Sequence, residues 1–392
     1  MRWNFDESAS REGTNCVKYD LRKEVFGRSD VIPMWVADMD FLSPPFISDA
    51  VLSRAAHKVY GYSFRPEGYY KSIIDWNIRR HAWTIDKESI IFCPGVVPAL
   101  NFCTLTFTEP DDCIIIQPPV YFPFFPAVDS HGRTLIMNQL IESDGLWKMD
   151  FDDIREKMKQ HPAMIIISNP HNPAGRAWRK EELSELVSIC YDNNVVILSD
   201  EIHCDLVLPR YKHIPVATIS NKAEEITVTC IAPSKTFNLA GLSTASVIIP
   251  NPELRTKFSS FTEKLHVSGG NLFGTVASEA AYRYGDEWLD ELLLYLEGNS
   301  NLVIEYCRDA IPGIIPVRPE ATYLMWLDCR GLGMSGKDLM DFFVNRAGVG
   351  MNEGSTFGPG GEGFMRMNIG CPRSTVLKAL GQIRSAVNLL TQ

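Results

Sequence analysis

Short apolar runs alternate with amphipathic segments through the middle of the chain. The runs are rich in β-branched residues and lie at Ser89–Cys93, Cys113–Gln117, Met164–Ser168, Val195–Ser199, Ile226–Ile231 and Ala245–Ile249. Between two of them, Lys180–Tyr191 carries Leu183, Leu186, Val187 and Cys190 at helical spacing. Strands that are apolar on both faces and separated by amphipathic helices are typical of a parallel sheet between helical layers. The pattern therefore predicts an α/β fold with a mainly parallel sheet covered by helices.

The last part of the chain has a different pattern. A long helical stretch near Trp288–Ala310 comes first. It is followed by a strand at Tyr323–Leu327, a helix over Gly336–Ala347, a strand at Phe364–Ile369 and a helix from about Ser374. This mixture predicts a second, smaller α+β domain.

Composition and charge narrow the class of partner. The chain has 392 residues, which suggests more than one domain, and its formal net charge of −10 disfavours nucleic acid or an anionic membrane as a partner. No apolar run approaches the roughly 18–20 residues that cross a bilayer, and Met1–Asp6 lacks the apolar stretch of a secretory signal. Ten scattered cysteines without a Cys-x-x-Cys pair indicate free thiols in a reducing compartment. We therefore expect a cytoplasmic protein that binds neither nucleic acid nor membranes.

Candidate binding residues follow the predicted strands at their carboxyl ends, where ligands bind in open α/β sheets. After the run at 89–93, Gly95 permits a tight turn and Pro98 suits the first turn of a helix, whose free amides would bind a phosphate. After the run at 164–168, two Asn-Pro pairs surround a turn in which Asn172 offers its amide to a ring hydroxyl. A plain strand–turn–helix junction and a proline-stiffened loop explain the same residues without a ligand.

An acid and an amine follow the next two strands. Asp200 closes an apolar run, and a buried acid needs a partner such as a protonated pyridine nitrogen. Lys235 follows the run at 226–231, and a partly desolvated lysine has a lowered pKa and attacks aldehydes. A helix cap by Asp200, a metal site with Glu201 and His203, and a solvated lysine are the alternatives. Together the four strand ends indicate pyridoxal 5′-phosphate (PLP) rather than a metal.

Seven segments resemble motifs of the fold-type I PLP enzymes, the aspartate aminotransferase superfamily, and they occur in the same order along the chain. They are Trp35–Phe41, Gly95–Ala99, Pro118–Tyr121, Asn169–Arg176, Ser199–His203, Lys235–Asn238 and Arg366–Gly370. Within the superfamily they are most similar to the MalY/PatB group of carbon–sulfur β-lyases. The resemblance implies a large PLP-binding domain around a seven-stranded sheet at 46–285. It also implies a small domain built from both termini, with an N-terminal arm at 1–45 and a C-terminal part at 286–392.

The resemblance also implies roles for the motif residues. Lys235 would carry the cofactor and move the substrate Cα proton, Asp200 would pair with the pyridinium nitrogen, and Tyr121 would stack on the ring. The other cofactor contacts would come from Gly95, Val96, Val97, Asn172, His203, Ser234 and Tyr62. Tyr62 would reach the phosphate of the neighbouring subunit in a homodimer, a role for which Tyr60 is the alternative. Arg366 would clamp the substrate α-carboxylate, with Ala37 and Tyr60 nearby. Aromatic packing of Tyr121 and a surface ion pair of Arg366 are the structural alternatives.

Three departures from the aminotransferase pattern bear on the reaction. His203 replaces the usual tyrosine, Ala232 replaces a frequent serine or threonine, and Leu242–Thr244 stands where an arginine usually holds the phosphate. We therefore predict β-elimination from L-cystathionine, L-cysteine or related S-substituted cysteines, which releases thiol, pyruvate and ammonia. A class I/II aminotransferase is the alternative, and a PLP-containing regulatory protein is a third hypothesis.

Overall fold

A computed structural model of the protein describes residues 2–7, 9–143 and 145–390. The strands are β1 (Ile32–Pro33), β2 (Ile90–Cys93), β3 (Cys113–Ile116), β4 (Thr134–Met137), β5 (Ile141–Ser143), β6 (Leu146–Lys148), β7 (Met164–Ser168), β8 (Val196–Asp200), β9 (Thr227–Ile231), β10 (Ala245–Ile248), β11 (Ile315–Pro316), β12 (Leu324–Asp328), β13 (Val349–Gly350), β14 (Asn352–Glu353) and β15 (Phe364–Asn368). The helices are α1 (Val17–Asp20), α2 (Arg22–Phe26), α3 (Pro45–Ala56), α4 (Glu67–His81), α5 (Val96–Phe107), α6 (Phe124–Asp129), α7 (Phe151–Met158), α8 (Lys180–Asp192), α9 (Asn221–Ile226), α10 (Pro233–Thr236), α11 (Pro252–Lys264), α12 (Leu272–Tyr284), α13 (Asp286–Ala310), α14 (Gly336–Asp341) and α15 (Arg373–Asn388).

The main sheet has seven strands in the order β2-β10-β9-β8-β7-β3-β4. Strands β9, β8, β7, β3 and β4 pair in parallel, whereas β10 runs antiparallel to its neighbours β9 and β2. The prediction of a mainly parallel sheet is confirmed. Because the strands on either side of β10 run in one direction, the loops that begin at residues 94, 169, 201 and 232 lie at the same edge of the sheet.

Alternate residues of these strands enter two separate apolar cores. Ile115, Ile165 and Ile197 pack on one face with α7 and α8, while Ile114 and Ile166 pack on the other face with α5, α6 and α11. All five side chains are completely buried. Burial on both faces explains why the strands are continuous apolar runs in the sequence.

A second sheet is formed by the C-terminal part of the chain. Its strands follow the antiparallel order β11-β12-β15-β14 and pack with α13 and α15. A separate parallel pair joins Ile32 of β1 to Val349 of β13, so both ends of the chain contribute to this part of the fold. The predicted boundaries at 1–45, 46–285 and 286–392 stay a prediction. Within the described ranges, no helix has the length and apolar character to cross a membrane.

The structure differs from the sequence-based expectation at strand β4 and at the segment Gly336–Ala347, among other places. Strand β4 at the sheet edge was not predicted, because of its four residues only Ile136 is buried and the apolar run is therefore short. The helix expected over Gly336–Ala347 is α14 up to Asp341 and then a π-helical segment, Phe342–Arg346. A change of helical pitch leaves the apolar spacing almost unaltered, so periodicity does not reveal it.

Candidate active site

A cavity of about 220 Å³ opens at the carboxyl edge of the main sheet. Most of the predicted site residues line it, and the full lining is Ala37, Pro94, Gly95, Val96, Val97, Pro98, Tyr121, Ser168, Asn172, Asp200, Ile202, His203, Ser234, Lys235, Ala240, Ser243 and Thr244. They come from loops that are distant in sequence and adjacent in the sheet, since β8 lies between β7 and β9. Asp200 is the only carboxylate in this lining within the described ranges.

One end of the cavity consists of amide and hydroxyl groups. Gly95 is the N-cap of α5, a helix of 12 residues whose first-turn amides have no partner within the helix. A Cβ atom at position 95 would come within 3.3 Å of the Pro98 ring, so the turn has little room for a side chain there. Ser234, Ser243 and Thr244 complete this end of the lining. Free amides and hydroxyls without a nearby acid are suited to a phosphate.

Asp200 lies at the end of β8 and is only 3% exposed. Burial raises the pKa of its carboxyl from 3.8 to about 7, although the amide of Ile202 donates to Oδ1 at 3.1 Å and Lys235 opposes the shift. A buried acid with a single hydrogen-bond donor is stabilised by any cation placed against it. The geometry therefore leaves Asp200 available to a protonated ring nitrogen.

Lys235 lies in the short helix α10, one strand along from Asp200. Desolvation lowers the pKa of its amine from 10.5 to about 8, and the charge of Asp38 partly offsets this effect. Its Nζ donates to the carbonyl oxygen of Ala37 at 2.6 Å, and the hydroxyl of Tyr323 donates to the same oxygen at 2.9 Å. An amine with a lowered pKa is neutral in a larger fraction of molecules near neutral pH, as a nucleophile or base must be.

Two polar side chains lie beside the centre of the cavity. His203 is 3% exposed, and burial lowers its pKa to about 3, which keeps the imidazole neutral. Its Nδ1 has no hydrogen-bond partner among the described residues. Asn172 accepts a hydrogen bond on Oδ1 from Arg366 at 3.1 Å, which fixes the amide and leaves Nδ2 as a donor.

Arg366 on β15 is a buried cation next to this cavity. It is 3% exposed, and desolvation lowers its pKa from 12.5 to about 10. Its Nη2 donates to the carbonyl of Trp35 and to Oδ1 of Asn352, at 3.0 and 2.8 Å, while its Nε has no partner among the described residues. None of these partners carries a charge, so a carboxylate is the missing counter-ion.

The predicted tyrosines fall into two groups. Tyr121 follows the Pro118–Pro119 pair and lines the cavity, where burial raises the pKa of its hydroxyl. Tyr60 and Tyr62 do not line the cavity of their own chain. Tyr62 is fully exposed, and Tyr60 is 60% exposed with its hydroxyl donating to the carbonyl of Ala55. Their predicted roles require a second subunit and stay predictions.

Two further buried acids hold the loops of the site. Glu201 accepts hydrogen bonds from Ser199 and from the amide of Val216 and pairs with His213 at 2.8 Å. Because protein donors occupy this carboxylate and it does not line the cavity, the alternative of a metal held by Asp200, Glu201 and His203 has no support.

Asp205 connects the loop after β8 to the lysine helix. Its carboxylate accepts from Trp76, from His81 and from the hydroxyl of Thr236, which directly follows Lys235. His81 and Asp205 also lie within 4.8 Å of the Cys204 thiol. Because these hydrogen bonds already satisfy the carboxylate, we assign a structural role to Asp205, which is to hold α10 in place.

The residues of the cavity fit PLP. The amide and hydroxyl end suits a phosphate, the unpartnered Nδ1 of His203 and the amide of Asn172 suit a ring oxygen, and Asp200 suits a pyridinium nitrogen. Lys235 lies in the same lining and offers an amine to an aldehyde. No other residue of the lining carries a charge, so the only ionised groups there are those that the cofactor needs.

Sequence reasoning missed several residues of the site. Ser243 and Thr244 were noted only as the place where an arginine is absent, yet they line the phosphate end. Tyr323 donates a hydrogen bond to the carbonyl of Ala37, and Asn352 accepts one from Arg366. Nothing in the sequence around Tyr323 or Asn352 distinguishes them from ordinary strand residues. Their proximity results from the packing of the second sheet against the first.

Residues 34–383 match the family described as aminotransferase class I and II. The chain belongs to this family. It is 42% identical to cystathionine β-lyase PatB of Bacillus subtilis over 98% of this chain and all of the relative. It is 30% identical to Protein MalY of Escherichia coli over 98% of this chain and 99% of the relative.

A solved relative contains the cofactor. The PLP-bound carbon–sulfur lyase of Staphylococcus hominis is 34% identical, covers 99% of this chain and 98% of its own, and superposes with a TM-score of 0.91. These comparisons confirm the predicted fold class, the resemblance to the MalY/PatB group and the PLP-dependent carbon–sulfur lyase class.

Proposed function

We propose that this protein is a PLP-dependent carbon–sulfur β-lyase that cleaves L-cystathionine, L-cysteine or related S-substituted cysteines. The observation that carries the proposal is a cavity lined by Asp200 and Lys235, with Arg366 directly behind it through a hydrogen bond to the lining residue Asn172, in a chain that is 42% identical to a cystathionine β-lyase over 98% of its length. The products are a thiol, pyruvate and ammonia, with one water consumed.

The cavity lining supports the following proposed roles in cofactor binding. Lys235 would hold the aldehyde, Asp200 the ring nitrogen, Asn172 and His203 the ring oxygen, Tyr121 the ring face, and the amides of Gly95, Val96 and Val97 with the Ser234 hydroxyl the phosphate. When bound, PLP supplies an electron sink that makes the Cα–H bond of an amino acid acidic. Asp200, ionised against the ring nitrogen, maintains that sink.

Lys235 is the proposed base. Its amine reaches the Ala37 carbonyl, so it stays inside the cavity on the side of the N-terminal segment. With a pKa lowered to about 8, a useful fraction of the amine is neutral near pH 7 and accepts the substrate Cα proton on Nζ. As a cation, Lys235 then donates that proton to the departing sulfur.

Arg366 is the proposed carboxylate ligand. Its buried guanidinium is held in one orientation by Asn172, Asn352 and the carbonyl of Trp35. A substrate carboxylate bound there supplies the counter-ion that the guanidinium lacks, and it fixes Cα within reach of Lys235. Ala37, whose carbonyl lies between Lys235 and Tyr323, forms the adjacent wall.

The test of the proposed reaction is a single incubation. Purified holoenzyme is mixed with L-cystathionine in the absence of any 2-oxo acid, and pyruvate and free thiol are measured. Equal amounts of both products support β-elimination. Turnover that requires an added 2-oxo acid, with no thiol released, would show an aminotransferase instead.

We also propose that the functional unit is a homodimer with shared active sites. The segment between α3 and α4 has no regular structure and exposes Tyr60, Tyr62 and Phe64 to 60%, 113% and 85%. Three exposed aromatic residues at alternate positions of one segment are unusual on a monomer surface and are typical of a protein interface. A neighbouring subunit would bring Tyr62 to the phosphate end and Tyr60 toward the substrate.

Subunit mixing tests the shared site. The variants Lys235→Ala and Tyr62→Ala are each expected to be weakly active alone. If the site is shared, a mixed dimer contains one site with both native residues. Random exchange should then restore about a quarter of wild-type activity, because half of the dimers are mixed. No recovery after confirmed exchange would refute the shared site.

We propose that the protein works in the reducing cytoplasm. All ten cysteines are free thiols, and eight of them are buried. Cell fractionation with a reduced-thiol count of the purified protein tests this placement.

A further inference from the structure

The N-terminal segment 35–41 contacts the lysine loop at two places. The carbonyl oxygen of Ala37 accepts the hydrogen bond from Nζ of Lys235 at 2.6 Å. Asn238, three residues after the lysine, accepts from the amide of Met39 at 3.0 Å and donates to its carbonyl at 2.8 Å. Asn238 makes this pair of bonds with a φ of 60°, a left-handed conformation that asparagine tolerates. The segment therefore fixes the surroundings of the lysine amine.

A cluster of ion pairs holds the same segment on the side away from the lysine. Arg11 makes a bidentate pair with Asp38, from Nη1 to Oδ1 at 2.9 Å and from Nη2 to Oδ2 at 2.5 Å. Nη1 of Arg11 also donates to Oδ1 of Asp40 at 2.7 Å. Lys18, which is only 1% exposed, donates to Oδ2 of Asp40 at 2.9 Å. Bidentate pairs of this kind fix the orientation of a carboxylate as well as its charge.

The charge of Asp38 acts on the lysine as well as on these cations. Asp38 directly follows Ala37, whose carbonyl is bonded to Lys235. Desolvation lowers the pKa of the lysine, and the charge of Asp38 is the largest effect that opposes it. Burial and the same charge raise the pKa of Tyr323, whose hydroxyl is the second donor to the Ala37 carbonyl. The carboxylate therefore acts on both groups that donate to this oxygen.

The other charged groups that face the lysine amine have partners of their own in the proposed function. Asp200 favours the charged amine to a smaller extent, Arg366 disfavours it, and burial keeps His203 neutral. Asp200 is assigned to the ring nitrogen and Arg366 to the substrate carboxylate, so both are neutralised when cofactor and substrate bind. Asp38 does not line the cavity and is held by protein side chains. Its charge beside the lysine is therefore the same in every state of the site.

We propose that Asp38, held by Arg11, is a positioning residue that fixes the Ala37 carbonyl against Lys235 and supplies the permanent negative charge beside the lysine nitrogen. Arg11 limits the effect of that charge because it neutralises part of it. Neither residue contacts the substrate in this role, and both act through the lysine. The proposal rests on the proposed function of Lys235.

The test is a pH titration of the holoenzyme between about pH 6 and pH 10, followed by the visible absorbance of the bound cofactor. The nitrogen of Lys235 still titrates when it is bonded to the cofactor aldehyde, so the midpoint reports its proton affinity. Asp38→Asn removes an anion and should lower the midpoint by about 0.5–1 pH unit. Arg11→Gln removes a cation and should raise it by a similar amount. The double variant restores the charge balance and should lie between the two.

Matched variants exclude a structural explanation. Asp38→Glu keeps the charge, and its midpoint should lie closer to the wild type than that of Asp38→Asn. Arg28→Gln breaks another bidentate pair, with Asp30, at a place that does not line the cavity. Its midpoint should stay within about 0.2 pH unit of the wild type, because surface charges are screened by salt.

Opposite shifts in the two single variants support the proposal, because a loosened segment would move both midpoints in one direction. Shifts of the same sign, unmoved midpoints, or a double variant displaced further than either single variant would overturn it. Should Asp38→Asn fail to fold, the rise expected for Arg11→Gln decides alone. Lys235→Ala is measured in parallel. If it keeps the visible band, the function of Lys235 fails and the positioning role fails with it, whereas unmoved midpoints beside a lost band overturn the positioning role alone.

Discussion

Replacement of Asp200 by asparagine separates the cost of this carboxylate to folding from its use in catalysis. In the unfolded chain an aspartate ionises near pH 3.8, whereas in the folded, cofactor-free protein burial raises the pKa of Asp200 to about 7. As pH rises, the carboxyl of Asp200 therefore loses its proton at a lower pH in the unfolded chain than in the folded protein. The free energy of unfolding of the wild type should fall between about pH 4 and pH 7 and stay low above that range.

The magnitude follows from the pKa shift. A change from 3.8 to about 7 is about three units, and at about 1.4 kcal/mol for each unit it costs roughly 4 kcal/mol above pH 7. The introduced amide keeps the contact with the Ile202 amide but adds N–H donors, at a cost of about 1–2 kcal/mol. We expect cofactor-free Asp200→Asn to be about 2–3 kcal/mol more stable than wild type at pH 8 and nearly equal to it at pH 4.5.

The assay is urea unfolding followed by tryptophan fluorescence at pH 4.5, 6 and 8. Asp49→Asn, at an exposed position on α3, is the control and should follow the wild-type curve. With PLP bound, Asp200→Asn should lose at least about a hundred-fold in kcat, because the ring nitrogen no longer has an anionic partner. Parallel pH curves for the cofactor-free wild type and Asp200→Asn would refute the reasoning.

Other residues give independent predictions. Lys235→Ala should lose nearly all turnover and the visible absorbance band of the bound cofactor; an unchanged band between about 300 and 500 nm would refute the assignment of the lysine. Arg366→Lys keeps a charge but loses the planar fork, so KM for L-cystathionine should rise about 10- to 100-fold with a smaller change in kcat, and an unaltered KM would place the carboxylate elsewhere. Ile166→Ala should cost about 2–5 kcal/mol in urea unfolding, because the side chain is completely buried in the sheet; a cost below about 1 kcal/mol would show that the core relaxes around the gap.

Most strands of the main sheet can be predicted from the local sequence. Six of its seven strands were predicted because burial on both faces makes them continuous apolar runs, while the edge strand β4 lacked that signal. The residues at the strand ends were also predictable. In a parallel sheet, side chains that follow neighbouring strands meet at one edge, so the sequence alone predicts that Asn172, Asp200 and Lys235 lie together.

The residues proposed to bind the substrate could not be predicted from strand-end positions in the same way. Arg366 was placed by resemblance alone, because nothing local distinguishes it from a surface arginine. Its contacts with Asn172 and Asn352, and the contact of Tyr323 with Ala37, join segments from three parts of the chain. Pairings of this kind depend on how one sheet packs on the other, and the sequence has no periodic signal for them.

The amino-acid sequence by itself determined the class of fold and the cofactor chemistry, because strand burial and strand-end position are local or nearest-neighbour properties. Only the tertiary structure decided the electrostatic state of the site. The pKa of Asp200 rises and that of Lys235 falls because packing removes water from both, and the degree of that desolvation is set by residues far away along the chain. The same packing placed Phe357 between Arg366 and Phe122, since these side chains come from segments that are far apart along the chain.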